Sequence, residues 1–441
     1  MSYLWLLVTM TAQKTLSEWL AYIQQQHPQS ISMGLERVSA VAKSMGLGHP
    51  ARHCIVVGGT NGKGSTVTFI ESIARAAGWK VGTYTSPHLM RYNERVRIDG
   101  REVDDALLVE AFSRVEVARR ETELTFFEFG TLAALWLFSR VVLDLAILEV
   151  GLGGRLDAVN LVDGDVAVIT TVDIDHTERL GGDREAIGKE KAGIIRSWKP
   201  VVLGELDPPS SVLRHAYLLG ANAIRAGSDF FYEQINEKHW RWRDISLCME
   251  LPLPALSAPI QLANAASAIA ALRALPRTLP FEAWSDGVAK ATIAGRLQAF
   301  QIGAIQVLLD VGHNPQAAQV LASALRTQPI EGNVTHAVYA ALVDKDVVGV
   351  ATALAEIVTH WHLAGLDCLR GQSAECLARR LAEISVVPSS LSGSVTEALQ
   401  QTLQTAASGD RVLVFGSFHT VAEALLLLGS FDKSEALPVN V

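Results

Sequence analysis

Cysteine is scarce: the 441 residues hold four, at positions 54, 248, 368 and 376, and no C-x-x-C spacing occurs. That argues against a disulfide framework and against a thiolate zinc site, and makes reduced thiols the expected state. No block of Lys or Arg stands out and the net charge is -8, so nucleic acid is not expected as a partner. Nothing approaches the ~18 uninterrupted apolar residues of a spanning helix. Residues 1–10 are apolar but short, with no charged leader and no small-residue cleavage site, so a signal peptide is not expected. The expectation is a soluble cytoplasmic protein with no membrane partner. Internal repeats and low-complexity segments are absent. What is abundant is apolar residues, 49% of the chain, enough for a large core and too many for a disordered chain. The length suggests two or three domains.

The most informative stretch is Gly58-Gly59-Thr60-Asn61-Gly62-Lys63-Gly64-Ser65-Thr66. An apolar run, Cys54 to Val57, precedes it as a buried parallel strand, and a helix-forming run, Thr66 to Ala77, follows. Glycines let successive N–H groups converge on phosphate oxygens. The helix adds its free N-terminal donors and positive dipole end. Lys63 supplies charge for the outer phosphates, and Ser65 or Thr66 a hydroxyl for magnesium. The spacing is not that of the common P-loop: Val57 stands where its first Gly belongs, and Gly64 follows the lysine.

Further along, Lys80–Thr85, Asp144–Val150, Asp165–Val172 and Val201–Leu203 read as strands, with helices between them. Such alternation implies a parallel doubly wound sheet, with Asp144–Val150 central because it is apolar on both faces. Residues 207–259 lose the rhythm and read as an irregular, β-containing excursion. An alanine-rich helix, Leu262 to Leu275, follows, and a hinge is placed near Ile293–Arg296. From Ile305 the alternation resumes, with strands at 305–311, 334–342, 360–364 and 411–415. The fold class is α/β: a P-loop-type, mostly parallel doubly wound domain over residues 1–295, then a smaller Rossmann-like domain over 296–441.

Ligands of open α/β sheets gather beyond the carboxyl ends of the strands. There the sequence places the glycine loop, Ser86, Glu149 and the pair Asp175-His176. Glu149 closes a buried strand just before a glycine turn, where a carboxylate suits a hard cation such as magnesium. Ser86 and His176 sit at neighbouring strand tips. The Asp-x-x-Gly and Asn-Lys-x-Asp motifs of a GTPase do not occur in fitting places.

Taken together, these words resemble the dihydrofolate synthase/folylpolyglutamate synthase family, part of the Mur ligase-like superfamily. Besides the glycine loop, the likeness rests on Gly-Leu-Glu-Arg at 34–37, Ser-Pro-His-Leu at 86–89, Leu-Thr-Phe-Phe-Glu-Phe-Gly-Thr at 124–131 and Leu-Glu-Val-Gly-Leu-Gly-Gly-Arg-Leu-Asp-Ala at 148–158. It continues through Asp-His-Thr at 175–177, Ile-Gly-Lys-Glu-Lys-Ala-Gly-Ile at 187–194, Asp-Val-Gly-His-Asn-Pro at 310–315, Asp-Lys-Asp at 344–346 and Gly-Ser-Phe-His-Thr-Val at 416–421.

The resemblance implies the following roles. Thr60, Asn61, Gly62, Lys63, Gly64 and Ser65 bind ATP phosphates, with Asn264, Arg296, Asp310 and His313 reaching the nucleotide from the far side of a cleft. Ser86, Glu149, His176 and Lys191 hold magnesium, two ions being expected, with Lys191 carbamylated. Lys63, Lys191, His176 and Arg296 carry the catalytic work. The pterin end of the acceptor lies on Ile31, Ser32, Met33, Thr125, Phe126, Phe127, Glu128, Leu156, Asp157 and Ala158. Relatives usually carry an acidic residue where this chain has Ser32, and an apolar one where it has Asp173. The implied reaction joins L-glutamate to dihydropteroate, or to the γ-carboxylate of a folate, through an acyl phosphate, releasing ADP and phosphate from a monomer. Two alternatives stay open: folylpolyglutamate synthase activity alone, or a Mur-type amino-acid ligase. The second sits poorly with the fifty or so residues before the glycine loop, too few for an extra domain.

Overall fold

The strand His53–Gly58 is the axis of the first sheet, pairing in parallel with Leu145–Glu149 on one side and Val166–Ile169 on the other. The computed structural model describes residues 14–27, 32–328, 330 and 334–431; residues 1–10 and Ile31 lie outside that set. Across the sheet the order is Arg101–Glu102, Val96–Ile98, Val81–Tyr84, Leu145–Glu149, His53–Gly58, Val166–Ile169, Pro200–Leu203 and Asn222–Arg225. The first two strands are antiparallel and the rest parallel. Leu145–Glu149 is buried along its whole length, which is why its apolar run has no alternation.

The alternating rhythm runs further than the sequence suggests. Helix Ser210–Leu218 and strand Asn222–Arg225 still belong to it. Only then comes the excursion, an antiparallel sheet of Phe230–Gln234, His239–Asp244 and Cys248–Pro252. Its anchors are Trp240 and Trp242, both fully buried. Their indole N–H groups donate to the carbonyls of Pro252 at 3.0 Å and Ala266 at 3.2 Å. Each buried indole removes on the order of 200 Å² from water, worth about 5 kcal/mol by area. This small sheet packs on helix Ile260–Arg273, whose alanines allow close approach to helix Lys63–Ala76.

The second sheet runs Gln298–Ile302, Ile305–Asp310, Arg411–Phe415, Thr335–Tyr339, His360–Ala364 and Pro388–Ser392. Its first strand is antiparallel and the others parallel. Between the sheets the chain passes through Gly295 (φ +69°) and Leu297 (φ 48°). The Asp310 carboxylate holds this crossing by accepting from the Leu297 N–H at 2.8 Å. Loops beyond the carboxyl ends of His53–Gly58 and Ile305–Asp310 meet directly, through Asn61 and Asn314. Among the described residues no helix is long and apolar enough to cross a membrane; the run Leu425–Leu428 lies within helix Phe418–Phe431.

Candidate active site

Helix Lys63–Ala76 begins three residues earlier than its sequence pattern suggests, because Gly62 turns into it with φ +84°. A Cβ at Gly62 would lie 2.5 Å from Asn264 Oδ1, and one at Gly59 would strike the Thr170 hydroxyl. Glycine is required at both places for steric reasons as well as torsional ones. The loop is tied down by Thr60 N–H to the Thr171 carbonyl (2.7 Å) and Asn61 N–H to Thr171 Oγ1 (3.0 Å). The Thr60 hydroxyl bridges both backbone groups of Asp173, at 3.0 and 3.1 Å, which gives position 173 a backbone role.

A cavity of about 210 Å³ opens on this loop. Thr60, Asn61, Gly62, Lys63, Gly64, Ser65 and Glu149 come to it from one lobe together with Asn264, and Arg296, Asp310 and His313 from the other side. Residues 250 positions apart in sequence therefore share one wall. Thr171, Gln261 and Gln316 line it too, and the sequence reading assigned them nothing.

Glu149 is buried here and Lys63 and Arg296 are half-buried, and each is shifted accordingly. Burial pulls the Lys63 ammonium below its ordinary range, although Glu149 and Asp175 oppose this. Lys63 rests meanwhile on the carbonyls of Gly59 and Thr60, both at 3.1 Å. Glu149 is pushed up by burial against the pull of Lys63, and its Oε2 accepts from the Ser86 N–H at 3.0 Å. Arg296 is lowered by burial, with Asp310 and Glu149 opposing. A site built of such desolvated cations holds a polyanion tightly, because the protein has already removed their water.

The four residues expected around magnesium are distributed less tightly. Ser86 and Glu149 touch. His176, in the left-handed region at φ 52°, opens instead onto an adjoining cavity of about 350 Å³ shared with His313. Lys191 is buried, 3% exposed, and its amine donates no hydrogen bond among the described residues. Burial and the Lys63 ammonium lower its pKa to about 7. Among the described residues no three His, Cys, Asp or Glu side chains converge on one point.

The adjoining cavity is markedly basic. Arg95, His88, His176, His313, Lys345, Arg370 and His419 line it without a carboxylate. Arg95 donates to His88 Nδ1 at 2.8 Å, and burial lowers the His88 pKa to about 4. Sequence reasoning gave no role to His88, Arg95, Lys345, Arg370 or His419. The words Asp-Lys-Asp and Gly-Ser-Phe-His carry two of them, Lys345 and His419.

A third cavity, about 260 Å³, collects Ser32, Met33, Thr125, Phe126, Phe127, Glu128, Leu156, Asp157 and Ala158, together with Ser86 and with Arg95, which also lines the basic cavity. Ile31 lies outside the described residues. Phe127 stacks on Tyr84 (5.8 Å, 28°), and Phe126 meets Tyr92 edge-on (5.7 Å, 81°) beneath the Arg95 guanidinium. Glu128 is already engaged: it closes a capping box with Thr125 and pairs with Arg37 at 2.8 Å. Ser32 contributes its carbonyl, which accepts from Arg37 at 2.6 Å. Asp157 is pushed up to about 7 by burial, against the N–H groups of Leu152 and Val159.

Residues 57–272 match the Mur ligase middle domain and residues 295–418 the Mur ligase, glutamate ligase domain. The chain is 44% identical over 418 residues to the dihydrofolate synthase/folylpolyglutamate synthase of Escherichia coli (strain K12), covering 95% of this chain and 96% of that one. The solved structure of E. coli FolC in complex with DHPP and ADP superposes with a TM-score of 0.89 at 43% identity, covering 95% of this chain and 99% of that chain. A bifunctional folylpolyglutamate synthase/dihydrofolate synthase with Mn, AMPPNP and L-glutamate bound gives a TM-score of 0.87 at 43% identity, covering 94% and 98%. The chain belongs to the dihydrofolate synthase/folylpolyglutamate synthase family of ATP-dependent Mur ligases.

Proposed function

We propose that this enzyme adds L-glutamate to dihydropteroate and to the γ-carboxylate of folates, releasing ADP and phosphate. The observation that carries the reading is the adjacency of three cavities of different chemistry. One is a phosphate cradle, one is lined by aromatic rings, and one is basic and free of acids, with Arg95 shared by the last two. A nucleotide, a flat pteroyl group and a dicarboxylate amino acid match them in turn.

The acceptor carboxylate attacks the γ-phosphate, ADP leaves, and the glutamate amine displaces phosphate from the acyl phosphate. Lys63 and Arg296 stabilise charge on the transferred group, and more strongly than in open water because both are partly withdrawn from it. Magnesium would be held by Ser86, Glu149, His176 and a carbamylated Lys191, and when bound it neutralises phosphate charge. Lys191 suits that role: the residue is buried and its amine is lowered toward neutrality, which frees the nitrogen lone pair that attack on carbon dioxide requires. The carbamate would add an anionic oxygen donor to Glu149. Relatives' complexes with Mn and AMPPNP support a divalent ion here.

Product analysis with ATP, glutamate and either dihydropteroate or tetrahydrofolate tests the reading. Glutamate-dependent ADP formation with both acceptors is expected. ADP with tetrahydrofolate alone would leave only the folylpolyglutamate activity, and AMP with pyrophosphate would overturn the acyl-phosphate route.

A further inference from the structure

The loop after strand Val166–Ile169 carries Asp175, a mostly buried carboxylate that gathers groups from the opposite lobe. Its Oδ1 accepts from Lys345 Nζ at 2.7 Å and from its neighbour's N–H, His176, at 2.9 Å. Its Oδ2 accepts from Asn314 Nδ2 at 3.3 Å and lies 3.5 Å from His313 Nε2. Lys345, Asn314 and His313 all stand beyond the crossing at Gly295. Among the described residues no other carboxylate of the first lobe has so many partners from the second. Lys345 is 5% exposed. A lysine so desolvated is held by its carboxylate partner, and removing that partner leaves an uncompensated buried charge.

Asn314 continues to Asn61 in the glycine loop, while Lys345 and His313 line the basic cavity. Asp175 thus sits between the nucleotide loop and the cavity fitted to a dicarboxylate, touching neither ligand position itself: it lines none of the cavities described above. We infer that Asp175 is a positioning residue that sets the register of the two lobes and holds Lys345 and His313 where the incoming amino acid's carboxylates bind. This deepens the proposed function and rests on its assignment of glutamate to the basic cavity. Lys345 Nζ has Asp175 as its ion-pair partner, at 2.7 Å. A glutamate carboxylate arriving there would share that ammonium with Asp175 without any large movement of the lysine.

The test is steady-state kinetics on Asp175→Asn, Lys345→Met and the double variant, with glutamate, ATP and magnesium each varied. Asp175→Asn keeps the side-chain size and the bond to His176 but removes the charge. The glutamate KM is expected to rise about 10-fold or more in each single variant, with the ATP KM changed less than about 2-fold. The double variant is expected to be no worse than the poorer single, as for two residues acting through one contact. An unchanged glutamate KM overturns the inference, as do additive effects. A raised magnesium requirement at constant glutamate KM would instead make Asp175 a support for His176 and also overturns it. A second measurement needs no turnover: small-angle scattering of the ligand-free variant is expected to show an enlarged radius of gyration, and identical profiles would refute the register role. Absence of glutamate-dependent turnover in the unaltered enzyme would strike the proposed function, and scattering alone would then decide this inference.

Discussion

The side-chain amides of Asn61 and Asn314 face one another between the lobes, each Nδ2 donating to the other's Oδ1, at 3.1 and 3.0 Å. Asn61 donates also to Gln316 Oε1 at 2.5 Å. Asn314 has a second duty, capping helix Pro315–Arg326 by accepting from the Ala317 N–H at 2.9 Å. The two partners are therefore unequal. Asn314→Ala removes a cap as well as the amide pair, and a lost cap costs about 1 kcal/mol. Thermal denaturation should show the larger fall in midpoint for Asn314→Ala. Asn61→Ala should leave stability nearly intact and weaken nucleotide binding, read by calorimetric titration with ADP.

Gly62 gives a sharper outcome. An alanine there would hold a left-handed conformation that costs a non-glycine residue about 1–2 kcal/mol. Its Cβ would also press on Asn264 Oδ1, 2.5 Å away. Gly62→Ala is expected to weaken ADP binding at least ~10-fold while circular dichroism stays native, since 1.4 kcal/mol is a factor of ten. Adding Asn264→Ala removes the steric half of the penalty. The double variant should fold more stably than Gly62→Ala alone, and equal stability would mean that the torsion carries the whole cost.

The parallel strands were legible because burial on both faces writes them as unbroken apolar runs beside glycine turns: Cys54 to Val57, and Leu145 to Leu148 before Glu149. Gln298–Ile302 and Pro388–Ser392 were not. They are the two edges of the second sheet, part-exposed, and one reads Pro-Ser-Ser-Leu-Ser. Edge strands take their pairing from neighbours rather than from their own composition. Similarly, Glu149 announced itself as a charge ending a buried run, whereas Lys345 and Asp175 lie 170 positions apart. Nothing local in either marks the other. Glu128 shows the reverse case: the motif containing it was visible, but its capping box with Thr125 and its pair with Arg37 leave less of it for a ligand than the motif suggests.

Lys191 should give the enzyme a pH signature separable from catalysis. Its folded pKa of about 7 lies below the ordinary 10.5 because burial disfavours the ammonium. The folded state therefore binds fewer protons than the unfolded one between those values, and stability rises with pH across that window. Below pH 7 the penalty is present in full; above 10.5 it is gone. In buffer freed of carbon dioxide, Lys191→Met should flatten this part of the profile, measured by denaturant midpoints. Bicarbonate should flatten it in the unaltered enzyme too, with a mass gain of one carbon dioxide at Lys191. Loss of the slope in Lys191→Met without any bicarbonate effect would leave a buried lysine and no modification.

The aromatic cavity can be tested without touching a ring. Gly151 lies beneath Phe127, and a Cβ there would come within 2.7 Å of Phe127 Cζ. Tyr84, fully buried, stacks on the ring at 5.8 Å. Phe127 lines the aromatic cavity, so a ring displaced by the added methyl group is expected to intrude on it. Gly151→Ala should therefore shrink that cavity and raise the KM for the pteroyl substrate about 10-fold, while the KM for ATP holds. Trimming the ring in Gly151→Ala/Phe127→Leu relieves the clash and should restore part of the loss. If Gly151→Ala instead raises both KM values together, the bulge has travelled through Glu149 to the nucleotide loop, and the two cavities are mechanically one.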